Sequence, residues 1–397
     1  MLHKLLKLLS LFAYQAILFI AYLKNLFFST SFKLDYNLKN KKIAFFEKNT
    51  PNVSSTGERL FLELYAHMKR HSEVSFFIKN NERKQESNDY ALNVMEIKIT
   101  RPIFSRKILI ENEYFFVRSP ESFIYLIALS FLLFVRPRII YYSTDIFSKR
   151  FKEEFKNNGS LSSFFYSYYY KLNEPLIWKL SEFCLSNRED EALIIKKYNE
   201  NTSVVPVRVF SNFPKIEIKN FTRKTGKVID FLFIGGAGNT PNISAMNFVF
   251  DELISYFEEN LVRDYVIHVV GSGWKDFLNN MQYYSENVVI HGVVTDDGLQ
   301  CIYNQCLFSL APLKYGSGVK GKVIEAMYHS LVVITTPVGV EGIKCNTLNS
   351  FKTAREMTEE CNRVINSENY WLQTVTGYQE YLLDSYSISS LDKGLRI

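Results

Sequence analysis

Residues 307–337 read LFSLAPLKYGSGVKGKVIEAMYHSLVVITTP. An apolar run, a glycine loop, an amphipathic helix predicted over about 319–330 and a second apolar run make one strand–loop–helix–strand unit of a parallel α/β sheet. Gly316, Gly318 and Gly321 carry no Cβ, so the backbone there can approach a ligand closely and take positive φ. The first N–H groups of a helix have no internal partners, and the helix dipole adds partial positive charge. Lys320 and Lys322 place two ammonium groups at the same end. A phosphate or diphosphate is the ligand this combination favours.

The loop nearly fits the G-x4-G-K-[ST] phosphate loop, but its last position is Val323, which has no hydroxyl to hold magnesium. A diphosphate bound without a dedicated metal site is therefore the better expectation.

Upstream of this unit lie VIDFLFIGG (228–236), the helical SAMNFVFDELISYF (244–257), YVIHVVG (265–271), NVVIHGVV (287–294) and a helix through Tyr303. An earlier series begins with KIAFF (42–46), the loop EKNTPNVSSTGERL, a helix over 58–69 and the strand EVSFFIK (73–79). It continues with an apolar helix over 121–135 and the strand RIIYYS. The Tyr- and Phe-rich run over 162–178 reads as a core helix. Residues 212–227 lack a sustained hydrophobic period and read as a linker.

The expected organisation is a helix within 1–35, an N-terminal domain over 41–211, the linker 212–227, a C-terminal domain over 228–375, and a last helix over 376–397 packing back across the domains. The fold class is α/β, with two Rossmann-like doubly wound domains facing a cleft.

A chain of 397 residues is long enough for two cores. The net charge of +6 suits an anionic small ligand or membrane surface better than a nucleic-acid groove, which needs a concentrated basic stripe. Five cysteines, without a C-x2-C pair, give neither a disulfide framework nor a zinc site and read as buried or inert thiols of a reducing cytosol. Leu8–Leu23 is apolar but short for a span, and no cleavage site follows. A helix lying in the membrane interface is the preferred expectation, with a transmembrane anchor and a helix packed on the domain as the alternatives.

FLFIGGAGNTPN (231–242), VIHVVGSG (266–273), VVIHGVVTD (288–296) and residues 310–343 resemble successive segments of retaining GT-B glycosyltransferases, in particular glycosyltransferase family 4. The resemblance is dense over 228–343, weaker over 41–210, and does not include 1–35. It implies a nucleotide-diphospho-sugar donor held by the C-terminal domain and an acceptor held by the N-terminal one. Glu325 matches the second glutamate of the family's Glu-x7-Glu motif, which typically bonds the donor ribose; the first falls at Ser317, a departure from the motif.

The cations that usually follow the first strand of the donor domain are absent from GGAGNTPN, which leaves Lys320 and Lys322 as candidates for that charge. Gly57 matches the glycine of the N-terminal loop facing the donor phosphate, and Gly235 and Gly236 hold the equivalent turn of the second domain. Gly271, Gly273 and the backbone near Val293 fall where the nucleobase usually rests. Gly316, Ser317, Gly318 and Val319 complete the donor loop, and Asp145 is a candidate acceptor-side base beside an ordinary loop-capping role. His291 reads as structural, and Asp296-Asp297 as a helix start.

The implied reaction is retaining hexosyl transfer to a saccharide or lipid-linked hydroxyl, in the synthesis of bacterial surface polysaccharide or lipopolysaccharide. It needs no cofactor and no metal motif. It implies a cytoplasmic protein at the inner face of the inner membrane, with peripheral membrane contact and no nucleic-acid partner. The alternatives are a nucleotide-sugar epimerase of the same fold and a non-catalytic donor-binding subunit of a polysaccharide-assembly complex.

Overall fold

The computed structural model describes residues 38–49, 56–80, 99–100, 106–206, 208–316 and 318–397, together with Ala16 and Ile20. Apart from those two positions, the expected membrane-interface helix lies outside the described residues. Among the described residues no helix is long and apolar enough to cross a membrane. The chain divides between Val207 and Arg208, and Ser389–Ile397 returns to the first unit.

Unit 1 contains β1 (Lys42–Asn49), β2 (Glu73–Asn80), β3 (Ile99–Thr100), β4 (Tyr114–Val117), β5 (Ile139–Ser143), β6 (Phe183–Ser186) and β7 (Thr202–Val204). They form one parallel sheet in the order β3-β2-β1-β4-β5-β6-β7. Strands β4, β5 and β6 are buried at every position, as uninterrupted apolar runs covered on both faces must be. Phe45 and Phe116 stack at 4.6 Å between centroids on one face, with Phe61 and Phe76 packed around them. The apolar helix Pro120–Leu133 opens on Ser119, whose side chain accepts from Ser122 N, and buries Phe123, Ile124, Leu126 and Ile127.

The aromatic helix Leu161–Leu180 corrects the expectation that its rings are core. Its buried face carries Ser163, Tyr170, Asn173, Glu174, Ile177 and Trp178, while Leu161, Phe164, Phe165, Tyr168 and Leu172 are exposed. Glu174 explains the orientation. Its carboxylate accepts from the N–H groups of Phe147 (2.6 Å) and Ser148 (3.3 Å), the start of the helix Phe147–Asn158. An anion at a helix N-terminus is held by unpaired N–H groups and the dipole, and that contact turns the aromatic stripe outward.

Unit 2 contains β8 (Val228–Ile234), β9 (Asp264–Val270), β10 (Val288–Gly292), β11 (Phe308–Ala311) and β12 (Val332–Thr335), all parallel in the order β10-β9-β8-β11-β12. The chain runs outward from β8 to β10 and returns to the far side of β8 at β11, so the topological switch lies between β8 and β11. The helix expected from residue 244 starts four residues earlier, at Thr240, because Pro241 suits a first helical turn. It passes through a π turn at Val249–Leu253 into Ile254–Asn260.

The stretch read as a linker contains the helix Ile218–Lys224, whose buried Phe221 lies 5.4 Å from the Trp371 ring. The tail is helical over Glu368–Ser385 and Ile388–Leu395. Cys184, Cys306, Cys345 and Cys361 are buried free thiols, whereas Cys301 is exposed.

Candidate functional site

The loops leaving β8 and β11 meet at the switch. After β8 the chain turns through Gly235, at φ 142°, and Gly236 into the helix Thr240–Phe248. Beside it the loop leaving β9 turns at Gly271, also at φ 142°, so close to Gly235 that a Cβ there would collide with the Gly235 carbonyl. Trp274 Nε1 donates to the same carbonyl at 2.5 Å. After β11 the chain passes Gly316 (φ 134°) and Gly318 (φ 79°) into the helix Gly321–Tyr328. That helix is shorter than the expected 319–330, because Lys320 sits in an extended N-cap conformation and Val319 precedes it. Neither it nor the helix at Thr240 begins with a side-chain cap hydrogen bond.

Lys322 joins the two loops. Its Nζ donates to Asn242 Oδ1 at 2.7 Å, and Asn242 Nδ2 donates to the Gly236 carbonyl at 3.0 Å. The ammonium also lies 5.5 Å from the Phe233 ring centroid. Part of the side chain reaches solvent although the ammonium is closely surrounded. Burial, followed by the charge of Lys320, lowers its pKa to about 8. Lys320 Nζ donates to the Gly318 carbonyl at 2.5 Å and lies 3.7 Å from Glu341 Oε2. Two lysines, glycine backbone and two helix starts thus converge within unit 2, an arrangement suited to a diphosphate.

Glu325, on the same short helix, pairs its Oε1 with Arg208 and accepts from the Tyr303 hydroxyl on Oε2 at 3.5 Å. Arg208, Tyr303 and Asn242 were not among the residues singled out from sequence. Asn242 carried one legible signal, a polar side chain six residues after the Gly235-Gly236 pair; Arg208 carried none, because it lies far from Glu325 in the chain.

The remaining candidates lie elsewhere. Gly273 caps the helix Trp274–Met281 at φ 80°, and Val293 is exposed just beyond β10. Ser317 lies outside the described residues. His291 Nε2 meets His268 Nδ1 at 2.8 Å, and His268 Nε2 meets Asp230 Oδ1 at 2.9 Å, a polar chain across β10, β9 and β8.

In unit 1, Gly57 is the second residue of the helix Thr56–Met68, and the loop before it lies outside the described residues. Asp145 follows β5, with Oδ2 4.0 Å from Arg150 Nη1. Burial, helped by the Asp145 charge, raises Glu191 to about 8. Burial raises Glu174 to about 7 with a smaller contribution from Asp145, against the lowering effect of its bonds to the helix start.

Residues 229–367 match the family described as glycosyl transferases group 1. Among solved structures, Anabaena HepE in complex with UDP and glucose is 12% identical, with a TM-score of 0.66 over 90% of this chain and 98% of that one. WaaG, a glycosyltransferase involved in lipopolysaccharide biosynthesis, is 12% identical, with a TM-score of 0.56 over 89% of this chain and 99% of that one. An uncharacterised 44.6 kDa protein in the cps region of Klebsiella pneumoniae is 21% identical over 291 residues, 71% of each chain. The fold is therefore that of the GT-B glycosyltransferases, as the resemblance implied. The matched residues fall within the second unit.

Proposed function

We propose that the protein transfers a hexosyl group from a nucleotide-diphospho-sugar to a saccharide or lipid-linked hydroxyl, with retention at the anomeric carbon, in the manner of family 4 enzymes. The observation that carries this reading is the Lys322–Asn242–Gly236 bridge across the β8/β11 switch. A diphosphate displacing Asn242 Oδ1 from Lys322 would gain Lys322, Lys320 and the N–H groups at the Gly321 helix start. These groups stabilise the charge that grows on the leaving diphosphate, where one preorganised contact typically contributes about 3–4 kcal/mol to lowering the barrier. Val323, buried in the helix, needs no hydroxyl if the lysines supply the positive charge. Asp145 is the acceptor-side base of this scheme. Arg208 and the Tyr303 hydroxyl hold one Glu325 carboxylate oxygen each, so a ribose hydroxyl reaching Glu325 shares or displaces one of those partners.

HepE binds UDP-glucose, and WaaG works in lipopolysaccharide synthesis; both support a nucleotide-sugar donor and a surface-glycan product. The exposed stripe Leu161, Phe164, Phe165, Tyr168 and Leu172 favours an acceptor presented at an anionic membrane on the cytoplasmic face. The helix packed beside it exposes Lys149, Arg150, Lys152 and Lys156 against Glu153 and Glu154, a modest excess of positive charge. Purified protein is to be screened against UDP- and GDP-hexoses for thermal protection, then for transfer with NMR of the anomeric product. Protection lost in Lys322→Ala supports the reading, and protection unchanged in that variant refutes it. Vesicle flotation tests the membrane contact: Phe165→Asp is expected to weaken recovery with anionic vesicles while donor protection stays intact.

A further inference from the structure

Three side chains in unit 1, remote in sequence from the lysine loop, form a cluster that donor chemistry does not use. His67 is buried near the end of the helix Thr56–Met68, and His71 lies in the turn that follows. Asp392 comes from the helix Ile388–Leu395. His67 Nε2 meets Asp392 Oδ1 at 2.7 Å, and the two imidazole centroids are 5.1 Å apart. One nitrogen from each histidine and one carboxylate oxygen all lie within 4.8 Å of one another.

Each of the three is held by backbone that is itself fixed. His71 N donates to the Met68 carbonyl at 2.9 Å, and its own carbonyl accepts from Asn40 N at 2.8 Å. Asp392 rides on a helix whose Leu391 and Leu395 are buried. Gly394 of that helix meets the Val204 carbonyl so closely that a Cβ would collide. The elements therefore present two imidazoles and a carboxylate at one point with little ordering left to do on binding.

We propose that His67, His71 and Asp392 bind a divalent transition metal, Zn²⁺ by preference, in a three-ligand site whose fourth position takes water. Two neutral imidazole nitrogens and one carboxylate oxygen are a ligand set zinc accepts, at about 2.0–2.2 Å from the metal. The ligand atoms close around the ion by side-chain rotation. The proton that His67 Nε2 shares with Asp392 moves by way of solvent to His67 Nδ1, so the ring stays neutral and Nε2 donates its lone pair to the metal. Bound metal ties the helix Ile388–Leu395 to the helix Thr56–Met68, and so links side chains 325 positions apart in the chain. This reading is independent of the donor site in unit 2.

The test uses full-length protein without an affinity tag, titrated with ZnCl₂ by calorimetry and with CoCl₂ by visible absorption. The wild type is expected to take up one Zn²⁺, to show cobalt d–d bands, and to gain at least ~2 °C in melting temperature. His71→Ala and Asp392→Asn are expected to weaken zinc binding at least ~10-fold, the size that loss even of an outer-shell partner commonly has. Circular dichroism establishes that each variant is folded without metal. Weakening in either folded variant supports the site. No uptake by the wild type, or equal uptake by the wild type and both folded variants, overturns it.

Discussion

Units 1 and 2 are both doubly wound parallel sheets, yet the carboxyl ends of their strands carry opposite chemistry. In unit 2 the loops leaving β8 and β11 bring Lys320, Lys322 and bare glycine backbone together, and the two helices that follow start without a side-chain cap. In unit 1 the corresponding ends carry Glu47, bonded to Arg118, Ser119 and Ser122, and Asp145 near Arg150. The N–H at the helix start of Phe147 is already bonded to the protein's own carboxyl group, Glu174. One device of the fold, a helix N-terminus at the end of a parallel strand, is thus satisfied by a side chain at Phe147 in unit 1 and has no side-chain cap at Thr240 and Gly321 in unit 2. The difference teaches that the architecture supplies a place and the side chains decide who fills it.

The sharpest way to break this contrast is to remove the bridging cation. Lys322→Ala is expected to lower sugar transfer by roughly 10²–10³-fold, as loss of one preorganised charge contact does, with the fold retained by circular dichroism. Transfer at near wild-type rate would leave the switch in unit 2 no more an anion site than its counterpart. Gly271→Ala attacks the same site through backbone. A methyl group directed at the Gly235 carbonyl, at a φ of 142°, is expected to cost about 2–4 kcal/mol in urea unfolding.

The third prediction concerns protons. Lys322 titrates at about 8 in the free protein, and a diphosphate favours its charged form. Donor affinity is therefore full below that value and is expected to weaken by up to ~10-fold per pH unit above it, until the pKa of the bound state is reached. Calorimetry at pH 8.5 in buffers of different ionisation enthalpy is expected to show proton uptake on binding UDP.

Unit 1 gives the most gradual effect, spread over several pH units. Glu191 is raised to about 8, above its ordinary value, so its contribution to stability is complete below the unfolded-state pKa near 4.5 and is lost as pH rises through 8. Wild-type stability is expected to fall across that window by at most ~1.4 kcal/mol per pH unit from this group. Glu191→Gln is expected to flatten the slope in melts from pH 5.5 to 8.5, leaving the share of Glu174.

Much of unit 2 was legible because parallel strands covered on both faces are written as mostly apolar runs such as VIDFLFI, broken only by Asp230 and punctuated by glycine loops. The Asp296 helix start was equally plain, and Thr295 caps it. The aromatic helix was misread for a physical reason. Its sequence offers an apolar stripe at 161, 164, 165, 168 and 172, and a second face that mixes apolar residues with Asn173 and Glu174. Hydrophobicity favours burying the first, whereas the bonds from Glu174 to another helix bury the second. Partners distant in sequence, Arg208 with Glu325 and Lys322 with Asn242, leave no periodic trace at all.

The return of Ser389–Ile397 to unit 1 makes unit 2 an insertion between two parts of its neighbour. During synthesis the ribosome releases Leu391 and Leu395 only after residues 208–388 have emerged. Unit 1 is therefore completed only after unit 2 has emerged, and a stop codon near residue 388 would remove Leu391 and Leu395 from a core built mostly before residue 208.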